Sequence, residues 1–307
     1  MASLADKLSE QAPIAPPPRS IPWAVIAWVT ALLIAANYPI LKYLVLQWWN
    51  DEDMTHGFLV PIVAGFLVWE RRDKLMAMEF KPDFGWGLPV LLWGMLQGYL
   101  GMIAAELFLQ RTSVLIVLVG ILLMTGGTKL VRALLYPLLL LPFMIPIPTV
   151  VYNRITFPLQ LFASAVAEQV LGWINIPVLR DGNVLHLASQ DLSVAEACSG
   201  IRSLMSLSFL SMVYSYFSDQ RIWMRWVLFA ATIPIAILAN AGRVTITGIL
   251  SEINPELAHG FFHSLEGWVI FVIAGVMLIG LHAVLNRLTR MGSGKGSNPD
   301  ATEGQVV

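Results

Sequence analysis

Trp226-Val-Leu-Phe-Ala-Ala-Thr-Ile-Pro-Ile-Ala-Ile-Leu-Ala-Asn-Ala-Gly-Arg-Val-Thr-Ile-Thr-Gly-Ile249 is a run of 24 residues with one charge, Arg243. As a helix it is about 36 Å long at about 1.5 Å per residue, enough to cross a hydrocarbon layer roughly 30 Å thick. The rest of the chain is of the same kind. Of its 307 residues, 57% are hydrophobic and 13% charged, and the mean hydropathy is +0.69. Soluble domains carry roughly 25% charged residues, so this chain lacks the polar surface to coat a water-soluble globule and must place apolar surface in lipid. A soluble enzyme and a disordered regulator are thereby excluded. So is a nucleic-acid binder, because 19 Lys+Arg against 20 Asp+Glu supply no basic face. The single cysteine, Cys198, excludes an internal disulfide and any multi-cysteine metal site.

Outward from that run, seven further spans are expected: about 21–46, 57–69, 85–105, 112–125, 133–150, 200–217 and 263–285. The fold class is therefore an all-α polytopic membrane protein of about eight transmembrane helices. Pro137, Pro142, Pro146 and Pro148 bend or fray the fifth span. The polar segments 1–20 and 291–307 are expected to be disordered, flanking a membrane domain over 21–290, and no cleavable signal peptide is expected at the start. With the N-terminus cytoplasmic, 13 of the 19 basic residues fall inside. Lys42, Arg111, Arg154, Arg180, Arg202 and Arg243 are left at the outer side. This is the positive-inside bias, and it places both termini in the cytoplasm.

Residues 151–197 break the pattern. Ile155, Leu159, Phe162, Val166 and Val170 recur at helical spacing, with Gln160, Ser164 and Glu168 on another side, which predicts an amphipathic helix at the outer interface. The pair Asp181-Gly182 between alternating apolar residues predicts a hairpin turn, and Leu192–Ala195 could add a third strand. A small extracytoplasmic sheet is thus expected just before Cys198.

Polar groups in membrane helices are costly and invite a functional reading. Cys198 lies 19 residues before Phe217, Arg243 lies 17 after Trp226, and His263 lies 22 before Leu285. These separations are about 28, 26 and 33 Å of helix, so all three arrive at the outer boundary. A thiolate attacks carbonyl carbon, and its pKa falls beside cations or at a helix N-terminus. Arg243 could offset the thiolate charge or hold an oxyanion, and His263 titrates in the range for moving the thiol proton. Together they describe acyl transfer through a thioester. Taken singly, each has a plainer reading: a buried small hydrophobe, a snorkelling arginine, an interfacial histidine. His56, His186, His259 and His282 read as structural or solvated, and Glu196 and Arg202 as a local pair or as substrate-positioning groups. Ser199 does not sit in a Gly-x-Ser-x-Gly elbow. No phosphate loop, metal-ligand pair or nicotinamide fingerprint is present, so neither cofactor nor metal is expected.

Glu196-Ala-Cys-Ser-Gly-Ile-Arg-Ser203, Asn240-Ala-Gly-Arg243 and Phe262-His-Ser-Leu-Glu-Gly267 resemble the three motifs of the exosortase/archaeosortase family. Thr55-His-Gly-Phe-Leu-Val-Pro61 resembles that family's early membrane motif, and the likeness covers about residues 20 to 290. The resemblance implies a cysteine transpeptidase of the bacterial inner membrane with its active site at the periplasmic face. Its substrates would be exported proteins ending in a PEP-CTERM-type tail: a short motif such as Pro-Glu-Pro, a transmembrane helix and a basic cluster. The cleaved protein would pass to an amine, lipid or glycan acceptor in the envelope. Membrane lipids are further partners, and nucleic acid is not. Cys198 would be the nucleophile, Arg243 the thiolate or oxyanion partner, and His263 the acid/base. Archaeal members use a second arginine where His263 stands, so the bacterial type is implied. The soluble C-terminal domain of some relatives is not seen here, so any accessory factor is expected on a separate protein. Two other readings compete: a transporter or assembly subunit of an envelope exopolysaccharide system, and an intramembrane protease that only hydrolyses.

Overall fold

The computed structural model describes residues 23–194, 200–254 and 261–293. Segment 1–20 lies outside them, as does the tail except for 291–293, which continue the last helix. The protein is mostly helical with one small sheet. Among the described residues, four helical stretches are long and apolar enough to cross a bilayer: Phe84–Ile103, Leu107–Ala133, Ile222–Ile253 and Trp268–Arg290. A fifth is counted if Leu135–Met144 and Thr149–Trp173, bent by 85°, form one span. The remaining expected spans fall on shorter elements. The first becomes α1 (Trp23–Ala36) and α2 (Tyr38–Asn50), broken at Asn37, because Pro39 has no N–H to donate into the turn before it. The second is α3 (Leu59–Glu70), preceded by a 3-10 turn at Glu52–Phe58 and followed by α4 (Arg72–Met76).

The chain divides into two compact units: Met1–Leu46 with Pro61–Pro142, and Gln47–Val60 with Phe143–Val307. The first is dominated by the hairpin of α5 (Phe84–Ile103) and α6 (Leu107–Ala133). Carboxylates cap both helices: Asp83 accepts from Trp86 N at 3.1 Å and Glu106 from Leu109 N at 2.7 Å. Glycine lets the two backbones touch. A Cβ on Gly120 would lie 2.8 Å from the Leu91 backbone, and one on Gly94 would lie 2.9 Å from Val117 N. Lipid offers no hydrophobic contrast, so close van der Waals approach through small residues holds such a pair. The helix α6 is broken at Gly127, whose φ of 69° and approach to the Lys81 carbonyl suit only glycine. A short helix, α7 (Leu135–Leu140), follows.

The second unit contains α8 (Thr149–Trp173), strands β1 (Val178–Asp181), β2 (Val184–Leu187) and β3 (Asp191–Ser193), and helices α9 (Gly200–Ser218), α10 (Ile222–Ile253) and α11 (Phe261–Ser293). The sheet is antiparallel in the order β1-β2-β3. Its first turn differs by one residue from expectation. Asp181 pairs with Val184 inside the ladder, so the two-residue loop is Gly182-Asn183, with Gly182 at φ 60°. The third strand is Asp191–Ser193 rather than Leu192–Ala195.

The amphipathic helix expected here is α8, and it packs through its small residues. Ala163, Ala167 and Leu171 are buried, whereas Ile155 is 41% and Phe162 48% exposed. Small residues allow α10 to approach closely, and bulky apolar ones are at no disadvantage in lipid. The polar stripe meets the hairpin. Ser164 Oγ donates to Gly182 O at 3.0 Å, Asn183 Nδ2 to Gln160 Oε1 at 3.1 Å, and Arg180 Nε to Glu168 Oε2 at 2.8 Å. Two cores result. One joins α8 and the sheet to Ala241 and Val244 of α10. The other packs Leu207 of α9 with Leu228, Ile235 and Ala239 of α10 and Ile270, Ala274 and Leu278 of α11.

Candidate active site

Arg243 lies in α10 and is 8% exposed, with Asn240 at 6% and Thr247 and Ser251 at 0%. At spacings of three and four these residues share one side of the helix. That burial disfavours the snorkelling reading, in which the guanidinium would reach the head groups. Thr245 and Thr247 return their hydroxyls to the carbonyls of Ala241 and Arg243 at 2.9 Å.

Cys198 lies outside the described residues, as do Glu196, Ser199 and His259. Its flanks are placed. Val194, fully buried, belongs to the same core as Ala241 and Val244, which bracket Arg243 in sequence. The strand end before it is tied to the end of α10: Gln190 Nε2 donates to Ser251 Oγ at 2.8 Å and Ser189 N to Glu252 Oε1 at 3.0 Å. Beyond the gap, α9 starts at Gly200 and carries Arg202 in its first turn.

His263 is the third residue of α11, where only the backbone is described. Its axial level follows from helix register. The connection 254–260 is too short for α11 to run parallel to α10, so the two are antiparallel. Ile270, seven residues after His263, shares a core with Ile235 and Ala239, eight and four residues before Arg243. His263 on α11 and Arg243 on α10 therefore both lie beyond that shared core, toward the same end of the helix pair. The three-residue connection 219–221 likewise makes α9 and α10 antiparallel, so Gly200, Ile253 and Phe261 share one end.

The opposite end holds a second polar cluster. Asp219, 8% exposed, receives Arg221 Nη2 at 2.5 Å and lies 3.2 Å from His282 Nε2. Tyr214 OH is 2.8 Å from His282 Nδ1, and Arg221 also bonds Asn286. The Arg221 guanidinium holds the Asp219 carboxyl far below the usual carboxylate range, with burial opposing it.

His56, read from sequence as structural or solvated, is a buried residue with partners far away in the chain. It is 8% exposed in the 3-10 turn, with Nε2 3.1 Å from Phe143 O and Nδ1 3.4 Å from Ser206 Oγ on α9. A carbonyl can only accept, so Nε2 carries the proton and Nδ1 is left to accept from Ser206. Burial lowers the His56 pKa, opposed by hydrogen bonds with Phe143 and Asp53. The resemblance of Thr55–Pro61 to a family motif was the signal that could have singled it out. His186 forms an exposed pair with Asp191 at 2.7 Å. An open groove lines the first half of α8 at Tyr152, Asn153, Arg154 and Gln160, and none of its lining residues is on α10. Among the described residues no three His, Cys, Asp or Glu side chains gather as metal ligands.

A family model described as Transmembrane exosortase (Exosortase_EpsH) matches residues 48–280. No curated protein and no solved structure matches the chain.

Proposed function

The chain belongs to the transmembrane exosortase family, and from that premise we propose that it is a cysteine transpeptidase acting on C-terminal sorting tails. The family comprises membrane transpeptidases or proteases that act on exported proteins. In this reading Cys198 is the nucleophile, Arg243 its charge partner and His263 the acid/base. The observation that supports it is that Arg243 is buried in α10 between Ala241 and Val244, which share a core with Val194.

The Cys198 thiolate attacks the carbonyl carbon at the scissile bond. Arg243 donates hydrogen bonds to the thiolate or to the developing oxyanion. As the C–N bond breaks, the leaving amine takes the proton held by His263, and the acyl group remains as a thioester. An acceptor amine or hydroxyl then attacks and returns a proton to His263; water in its place gives hydrolysis. The substrate is an exported protein with a PEP-CTERM-type tail, and the acceptor is an envelope amine, lipid or glycan. The same reading completes about eight spans with the shorter apolar helices. It places the chain in the bacterial inner membrane, with the site at the periplasmic face and both termini cytoplasmic.

The test is co-expression with a tagged protein bearing such a tail. Wild type should process the tail and Cys198→Ala should not; processing by Cys198→Ala would end the assignment. Mass analysis of the released C-terminus separates an added acceptor from a free carboxylate. The second reading, a transporter or envelope-polysaccharide assembly subunit, draws on the 85° break between Leu135–Met144 and Thr149–Trp173. It predicts export that survives Cys198→Ala.

A further inference from the structure

Arg111 sits near the start of α6 and takes no part in the chemistry above. It is 5% exposed. Its Nε is sealed from solvent without an acceptor, and among the described residues no carboxylate or carbonyl meets the guanidinium. The polar groups between α5 and α6 are in the opposite condition. Gln97 Nε2 donates to Thr112 Oγ1 at 2.7 Å and to Leu109 O at 3.2 Å. Gln110 Nε2 donates to Gly101 O at 3.0 Å, and Ser113 Oγ to Gln110 O at 2.7 Å. The one nearby acid, Glu106, has an oxygen engaged in capping Leu109 N at 2.7 Å and acts on Arg111 only through space.

A guanidinium does not shed its charge, and folded proteins rarely enclose one unpaired. An orphaned buried donor in a hairpin whose other polar groups are satisfied points to a ligand that supplies the acceptor. The planar fork of arginine matches phosphate oxygens. The tip around it is apolar and uncovered: Tyr99 is 58%, Met102 63%, Ile103 65% and Leu107 50% exposed. Such a tip suits acyl chains better than water, and a residue one turn inside it lies at head-group depth.

We propose that Arg111 is the anion-binding residue of a site for a phosphate ester, supplied by a membrane lipid whose chains lie against the apolar tip of the α5–α6 hairpin. The site is independent of the transfer reaction.

Native mass spectrometry of the full chain, delipidated and titrated with phosphatidylglycerol or phosphatidylcholine, tests it. Wild type should hold one phosphatidylglycerol, and Arg111→Gln should bind it about 10- to 100-fold more weakly, the range for charge-assisted hydrogen bonds. Arg132→Gln, at an exposed arginine of the same helix, should bind as wild type. Displacement of the lipid by millimolar inorganic phosphate would overturn the lipid source and leave a soluble-phosphate site. Equal binding of phosphatidylglycerol by wild type and Arg111→Gln would overturn the site itself. Should Arg111→Gln not fold, wild type decides alone: its thermal midpoint should be higher in phosphatidylglycerol nanodiscs than in nanodiscs of a phosphate-free digalactosyl diacylglycerol, and equal midpoints refute the proposal.

Discussion

Leu171 and Gly248 join the platform that leads into the Cys198 segment, and their coupling can be measured. Leu171 is fully buried, and a Cβ on Gly248 would meet its Cδ1 at 3.1 Å, Cδ2 at 3.6 Å and Cγ at 3.9 Å. Leu171→Ala removes all three of those atoms. The transfer loss is about 2.4 kcal/mol at about 0.8 kcal/mol per carbon, and the cavity raises the expected cost to about 3–5 kcal/mol. Gly248→Ala alone gains up to about 1 kcal/mol of helix propensity and loses a similar amount to the tight contact, so it should be near neutral. In the double variant the new methyl enters the vacated space. The two changes should therefore be non-additive, the pair being more stable than the sum by about 1 kcal/mol. Thermal midpoints in mild detergent are the assay, at roughly 2–4 °C per kcal/mol. Tail processing, measured well below each midpoint, should fall in Leu171→Ala and partly recover in the double variant. Strict additivity would refute the shared cavity. Wild-type processing by folded Leu171→Ala would refute the role of the platform in holding the Cys198 segment.

Three further outcomes follow from the same structure. Arg243→Lys keeps a charge but loses the fork, and should lower the processing rate by about 100- to 1000-fold, the effect of removing one oxyanion donor; an unchanged rate would remove Arg243 from the mechanism. Because the folded Asp219 pKa is depressed, its contribution to stability is complete above the unfolded value of about 3.9 and is lost as pH falls below it. The thermal midpoint should therefore drop on acidification below about pH 4, and Asp219→Asn should flatten that part of the profile. Gly120→Val would place side-chain carbon against the Leu91 backbone and should cost about 1–3 kcal/mol, read as a lowered thermal midpoint; a neutral result would mean that α5 and α6 are not held this closely.

Legibility differed by the kind of information. The apolar runs at 85–105, 112–125 and 226–249 became α5, α6 and α10, the last two with longer ends, because hydropathy over a score of residues decides lipid against water without reference to partners. The hairpin before Cys198 was visible as a turn pair, misplaced by one residue because its register is set by the ladder and not by the dipeptide. The roles of the α8 faces were not legible. The apolar spacing of Ile155 and Phe162 showed an amphipathic helix but not which residues it packs through, which are Ala163 and Ala167. In water a bulky apolar stripe must find a core; in lipid it is already solvated, and the packing surface goes to small residues instead. The same limit hid His56, whose partners at Phe143 and Ser206 are 87 and 150 residues away.

By itself the sequence determined the membrane class, the mostly helical chain and the family, along with the three residue types any thioester chemistry would draw on. These are properties of local composition and of short motifs, which need no knowledge of neighbours. Only the tertiary structure decided that Arg243 is enclosed rather than at the surface, that the polar stripe of α8 grips the hairpin, and that among the described residues the Arg111 Nε finds no acceptor. Burial and pairing depend on which distant segments arrive beside a group. One-dimensional periodicity does not encode that when the solvent on one side is as apolar as the core.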